Sequence, residues 1–168
     1  MAAILLFGVF PALMAFAAAY DLTTMTIPNK LTAAVALAFV AVVALCGLTI
    51  SEIAWHLAAG LLVLTVTFAM FTAGWIGGGD AKLAAGIALW LGFADLLDYF
   101  MLASILGGLL TLALLLARRY PLPPMLARLP WALRLHAPET GIPYGIALAV
   151  AALATLPHAQ IMLRAFPS

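Results

Sequence analysis

Charge is scarce in this chain: of 168 residues only 7 are Lys or Arg and 6 are Asp or Glu, against 67% hydrophobic residues and a mean hydropathy of +1.22. So little polar surface cannot cover a water-soluble globule, so the chain is an integral membrane protein. With a formal net charge of +1 and no basic run, it has no electrostatic footprint for nucleic acid. The single cysteine, Cys46, excludes an internal disulfide and a cysteine zinc cluster. The three histidines include no close pair at metal-ligand spacing. No bound metal and no cofactor are therefore expected.

What is present in quantity is apolar sequence. A hydrocarbon core about 30 Å thick needs roughly 20 apolar residues per helix, which allows about six spans and almost no soluble domain. The expected fold is an all-α membrane bundle forming one domain over residues 1–168. The first stretch, Ala2 to Tyr20, has no Lys or Arg before it, so it reads as a retained helix rather than a secretory signal. Further spans are expected at Leu31 to Ile50, Ile53 to Ile76, Ala81 to Ala94, Tyr99 to Ala117 and Ile142 to Leu156. The fourth is short, with a possible continuation through the acidic turn behind it. Between the last two, Pro121, Pro123, Pro124, Pro130 and Pro138 break up the segment Arg118 to Gly141 and keep it outside the hydrocarbon. Within that segment, Met125 to His136 has the composition of a short interfacial helix, with a plain loop as the alternative.

With alternate connections on opposite sides, one side receives Lys30, Lys82, Arg118, Arg119, Arg128 and Arg134. The other receives only Arg164, with the acids Glu52, Asp95 and Asp98. The positive-inside rule then puts both termini outside and Asp21, Asp80 and Glu139 at the cytoplasmic face. The basic loop suits anionic lipid headgroups as its partner.

Asp21 follows the first helix, where the negative end of the helix dipole disfavours its charge. A helix-ending residue exposed among headgroups is the bland reading. Asp80 closes the run Gly77-Gly78-Gly79-Asp80, and alone it reads equally well as a helix N-cap. Together on one face, two acids in a partly desolvated site share one proton. The ionised member takes a proton from water while the protonated member polarises a scissile carbonyl, giving amide hydrolysis without metal or covalent intermediate. The glycines let another backbone approach, although Gly74 and Gly78 at Gly-x-x-x-Gly spacing also fit simple helix packing. Nucleophilic alternatives do not assemble: His56 follows Trp55 near the outer interface, His158 falls at the outer end of the sixth helix and only His136 is cytoplasmic, while Cys46 and Ser104 fall within or near the outer halves of their helices. A magnesium site on Asp21, Asp80 and Glu139 has no specific support. A noncatalytic transporter or assembly subunit with acids lining an ion path is the rival from another class. Such a path places its acids near the midplane, whereas both acids here fall at expected helix ends.

Three segments carry a resemblance. Asp21-Leu-Thr-Thr-Met-Thr-Ile27-Pro28-Asn29 resembles the D-x(5)-I-P-N segment of aspartyl prepilin peptidases, and Gly77-Gly78-Gly79-Asp80-Ala81-Lys82-Leu83 their G-x-G-D-x-K-L motif. Ile142-Pro143-Tyr144-Gly145 resembles the I-P-[YF]-G segment that opens their last helix. Order and spacing also agree, which makes the match specific. The chain is most similar to the short form of tight-adherence, Flp-type pilus systems, since nine residues, Leu22 to Lys30, separate Asp21 from the second helix and no cysteine tetrad occurs. The resemblance implies removal of prepilin or pseudopilin leaders at the cytoplasmic face of a bacterial inner membrane, without the methylation performed by the longer form. It implies Asp21 and Asp80 as the catalytic pair, with Gly77 and Gly79 shaping the backbone beside Asp80. Lys82 is expected either to hold a leader carbonyl and tune the pair, or to snorkel as a membrane anchor. Pro28 and Asn29 are expected to end the loop and cap the second helix, and Pro143 and Tyr144 to set the entry of the last. The presenilin group is echoed by Tyr20-Asp21 and Gly77 to Asp80, but its Pro-Ala-Leu follows the second aspartate, whereas Pro11-Ala12-Leu13 precedes both acids.

Overall fold

A computed structural model describes Leu5–Ala165, and among these residues every regular element is helical. After a π-helical turn at Leu5–Val9, the helices are α1 (Phe10–Thr24), α2 (Asn29–Cys46), α3 (Ile50–Thr72), α4 (Gly78–Leu91) and α5 (Leu96–Ala117). They continue with α6 (Pro130–His136), α7 (Tyr144–Thr155) and α8 (Gln160–Ala165). The expected start of the first span at Ala2 and the side chain of Arg164 lie outside the described residues.

Among the described residues, four stretches are long and apolar enough to cross a bilayer: Leu6–Thr24, Asn29–Cys46, Ile50–Thr72 and Leu96–Ala117. The apolar helix Tyr144–His158 is shorter, and α4 has only 14 residues, about 21 Å at 1.5 Å per residue. Among the described residues six apolar helices are thus present, but two fall short of the expected span length. For α4 the reason is packing: eight of its 14 residues are buried, so its neighbours, rather than the bilayer, surround most of it.

Local chemistry explains where the helices stop. Gly47 at φ +62° ends α2, and Gly92 at φ +69° ends α4, conformations that a Cβ disfavours. The acidic turn after Gly92 therefore does not prolong α4. A reciprocal capping box between Thr49 and Glu52 opens α3. Pro130 at the first turn opens α6, so the segment from Met125 to His136 contains a short helix preceded by a 3₁₀ turn at Leu126–Arg128.

Helix α4 is the hub. Ala81, Ala84, Ala85 and Ala88 give it a narrow face, and Gly60 of α3 lies against Ala85 and Leu89 of α4. On its other side Trp90 is fully buried, with its ring centroid 4.5 Å from that of Phe10 and its Nε1–H donating to the Val35 carbonyl at 2.9 Å. Together these contacts hold α1, α2 and α3 around α4. Helix α7 packs against α1 and α5, again through alanines. Outward-facing side chains such as Leu37, Val40, Leu61 and Leu109 are exposed, as lipid-facing positions are.

Candidate active site

The site forms at one end of the bundle, where the end of α1, the start of α4 and the start of α7 meet. Asp21 lies within the last turn of α1 rather than after it, because the helix continues to Thr24. It is 4% exposed, so it is not a headgroup-facing helix end. Its Oδ2 accepts a hydrogen bond from the Gly145 N–H at 2.8 Å, across 124 residues of sequence. Such a bond satisfies both a buried carboxylate and one of the unpaired N–H groups at the start of α7.

Asp80 is the third residue of α4, and Gly77 is the N-cap. The N-cap reading of Asp80 is thereby corrected. Asp80 instead folds back onto the Gly77 backbone and accepts a hydrogen bond there. Ala81, the next residue, is level with Thr67 of α3, whose Oγ1–H donates to the Ala81 carbonyl at 3.3 Å. Thr67 precedes the end of α3 by five residues, so Asp80 is recessed roughly 7 Å inside that end.

Ile27 holds the two acids' supports together. A Cβ on Gly79 would lie 3.0 Å from Ile27 Cβ, and one on Gly145 would lie 2.9 Å from Ile27 Cδ1 and 2.7 Å from Asp21 Oδ2. The chain reaches this position through Met25, whose left-handed φ of 58° turns it sharply out of α1. The two carboxylates are near enough for their charges to act on each other. Among the described residues no hydrogen bond joins them directly.

The other expected site residues divide. Gly77 lies against Asp80, since a Cβ there would be 2.9 Å from Asp80 Oδ2, and Gly79 lies against Ile27. Gly74, at φ +76°, sits in the turn after α3, so the Gly74 and Gly78 pair is no helix-packing ladder. Pro28 is the N-cap of α2; Asn29 is its first residue and makes no capping bond. The Asn29 Oδ1 instead accepts from Lys82 Nζ at 2.8 Å. Lys82 thus ties the loop behind Asp21 to α4. Pro143 is the N-cap of α7, and the Tyr144 ring covers Gly107 of α5 with its hydroxyl 3.1 Å from Thr111 Oγ1.

Sequence reasoning passed over Gly145 and Ile27, although both stand in the quoted segments, because an N–H donor and a packing methyl leave no chemical signature. It also missed a clamp from the basic segment. Arg118 donates to the carbonyls of Leu135 and Gly141, and Arg134 to the carbonyl of Thr23 at 3.2 Å, two residues beyond Asp21. Glu139 is exposed, and among the described residues no three His, Cys, Asp or Glu side chains converge on a point that would suit a metal.

Fold and site together define a multi-pass helical membrane protein with two acids at one end of its bundle. The type IV leader peptidase family matches residues 8–112, more than half of the chain, and the chain belongs to that family. It is a peptidase of the prepilin-processing kind. The match contains Asp21, Ile27 to Asn29 and Gly77 to Lys82, whereas Ile142 to Gly145 lies beyond it. Comparison with curated proteins and with solved structures gives no match.

Proposed function

We propose that this peptidase is an aspartyl enzyme in which Asp21 and Asp80 activate water, and that it removes the leader of Flp-type prepilins or pseudopilins at the cytoplasmic face of a bacterial inner membrane. The observation that carries the reading is the joint support of the two acids: Ile27 wedged between Gly79 and Gly145, with Asp21 held by the Gly145 N–H. Packing residues alone would not need two carboxylates brought within electrostatic reach in an apolar bundle.

In the reaction, the ionised carboxylate removes a proton from water while the protonated one donates to the scissile carbonyl oxygen. Water oxygen bonds to the carbonyl carbon and a neutral gem-diol forms. The newly protonated carboxyl then passes its proton to the amide nitrogen while the other takes one from a gem-diol hydroxyl, the C–N bond breaks, and the two carboxyls again share one proton. No atom is lost and no cofactor enters. Two acids at helix ends on one side suit this chemistry better than an ion path, which needs acids along the membrane normal. The cytoplasmic assignment is supported by the basic segment, since Arg118 and Arg134 lie at the same end of the bundle as Asp21. Methylation of the new N-terminus is not part of the proposed activity.

The test is co-expression with an Flp-type prepilin. Wild type is expected to convert precursor to mature pilin, while Asp21→Asn and Asp80→Asn each insert normally and leave the precursor uncut. Wild-type cleavage rates in either variant would remove that aspartate from the mechanism.

A further inference from the structure

Asp80 does not open onto a sealed pocket. It stands at the inner end of a trough of about 530 Å³ whose walls are α3 and α5 and whose floor is α4 and α7. The walls contribute Val66 and Met70 on one side, Leu96 and Ser104 on the other. They are separate because α3 packs chiefly on α4 and α5 chiefly on α7. These two long helices are also the least buried of the four spans. Asp80 is the only charged group among the residues lining the trough.

Two further features distinguish the trough from an ordinary lipid-facing crevice. It is continuous with the recessed carboxylate, so whatever lies along it delivers its inner end to Asp80. In addition, the Ser104 hydroxyl is exposed in the wall and makes no hydrogen bond among the described residues. By contrast, the hydroxyls of Thr65, Thr67 and Thr111 each bond to a carbonyl one turn back. An acyl chain offers Ser104 nothing; a polypeptide offers a carbonyl.

We infer that this trough is the docking site for the apolar helix of the substrate on the mature side of the cut. The helix runs along α4 from the level of Asp80 outward to Leu96, and the leader emerges at the inner end. Backbone at this depth must be helical to satisfy its own polar groups, so unwinding is confined to the residues that reach Asp80. The inference rests on the peptidase reading above and adds to it where the substrate lies and in which direction.

A photo-crosslinking amino acid placed at Val66 or Ser104 in the full-length membrane-inserted enzyme, co-expressed with an Flp-type prepilin, tests this. Controls at Leu37 and Leu45, exposed on α2, report lipid-facing background. Capture from the trough is expected to exceed the controls roughly tenfold, with crosslinks confined to the prepilin's apolar helix. A second variant, Ala103→Trp, fills the trough from α5 and is expected to raise KM about tenfold with little change in kcat, whereas Leu37→Trp alters neither. If wild type cuts the prepilin but trough and control positions capture it equally, or capture lipid only, the docking site is overturned and the peptidase stands. An unchanged KM in a correctly inserted Ala103→Trp enzyme overturns it as well. Failure of wild type to cut the prepilin overturns the peptidase reading, and the docking site with it.

Discussion

The Gly145 N–H donates to Asp21 Oδ2 at 2.8 Å, and a methyl group on Gly145 would stand 2.7 Å from that same oxygen. Donor and acceptor are held so closely that the position admits hydrogen and nothing larger. Gly145→Ala is therefore expected to displace the Asp21 carboxylate and to cut leader cleavage by about 10²-fold, as a misplacement on the order of 1 Å does. Single-turnover processing of prepilin by the purified variant measures it. A rate near wild type would mean that Asp21 does not need this donor.

The two glycines before Asp80 are expected to fail in different ways. A Cβ on Gly77 meets Asp80 Oδ2 at 2.9 Å, a side-chain atom that rotates away, so Gly77→Ala should lower kcat while leaving thermal stability in detergent near wild type. On Gly79 the Cβ meets Ile27 Cβ at 3.0 Å and its backbone nitrogen at 3.2 Å, where nothing can swing aside. Gly79→Ala should therefore destabilise by about 1–3 kcal/mol as well as lose activity. Paired melting curves and cleavage rates separate the two outcomes.

Cleavage is expected to show a bell-shaped dependence on pH. Hydrolysis by the pair needs one carboxyl protonated and one ionised. Lowering the pH protonates both and removes the base; raising it ionises both and removes the acid. The falling limbs belong to the pair, and kcat/KM measured across the range in lipid nanodiscs would reveal them. A rate that only rises with pH would point to a single ionisable base.

The pair made by Lys82 and Asn29 is exposed, so its bond is weak in net energy despite its 2.8 Å length. Lys82→Met is expected to change stability by less than about 1 kcal/mol. Its cleavage KM should stay close to wild type, because Lys82 is already committed to Asn29. A large rise in KM would show that Lys82 leaves Asn29 for the leader.

Tyr99 is fully buried, and its hydroxyl is without a hydrogen-bond partner among the described residues. Removing an unsatisfied hydroxyl relieves its desolvation cost. Tyr99→Phe is expected to be more stable by about 1 kcal/mol in a thermal melt. Destabilisation would indicate that the hydroxyl is bonded through water.

Apolar length and charge asymmetry made the bundle legible, and the D-x(5)-I-P-N and G-x-G-D-x-K-L segments made the acids legible. The helix ends were less so. Asp21 reads as a residue after the helix because charge interrupts the apolar run, yet backbone bonding carries α1 on to Thr24. Asp80 reads as a cap because Asp favours that position, yet the flanking glycines let Gly77 take it. Lys82 and Asn29 each have plausible solitary roles, and only the fold shows that they are partners across 53 residues. The trough has no sequence signal at all. Its walls are ordinary leucine-rich spans, distinguished only by which helices they fail to touch.

The bond between Asp21 and Gly145 joins two residues made far apart in time. As the chain is synthesised and inserted, Asp21 enters the membrane with the first helix, but its donor arrives only with α7. Until then the site has both acids and no closure around them. A ribosome-bound chain cut short before α7 lacks the donor that holds Asp21, and the site closes only when α7 is laid in beside α1.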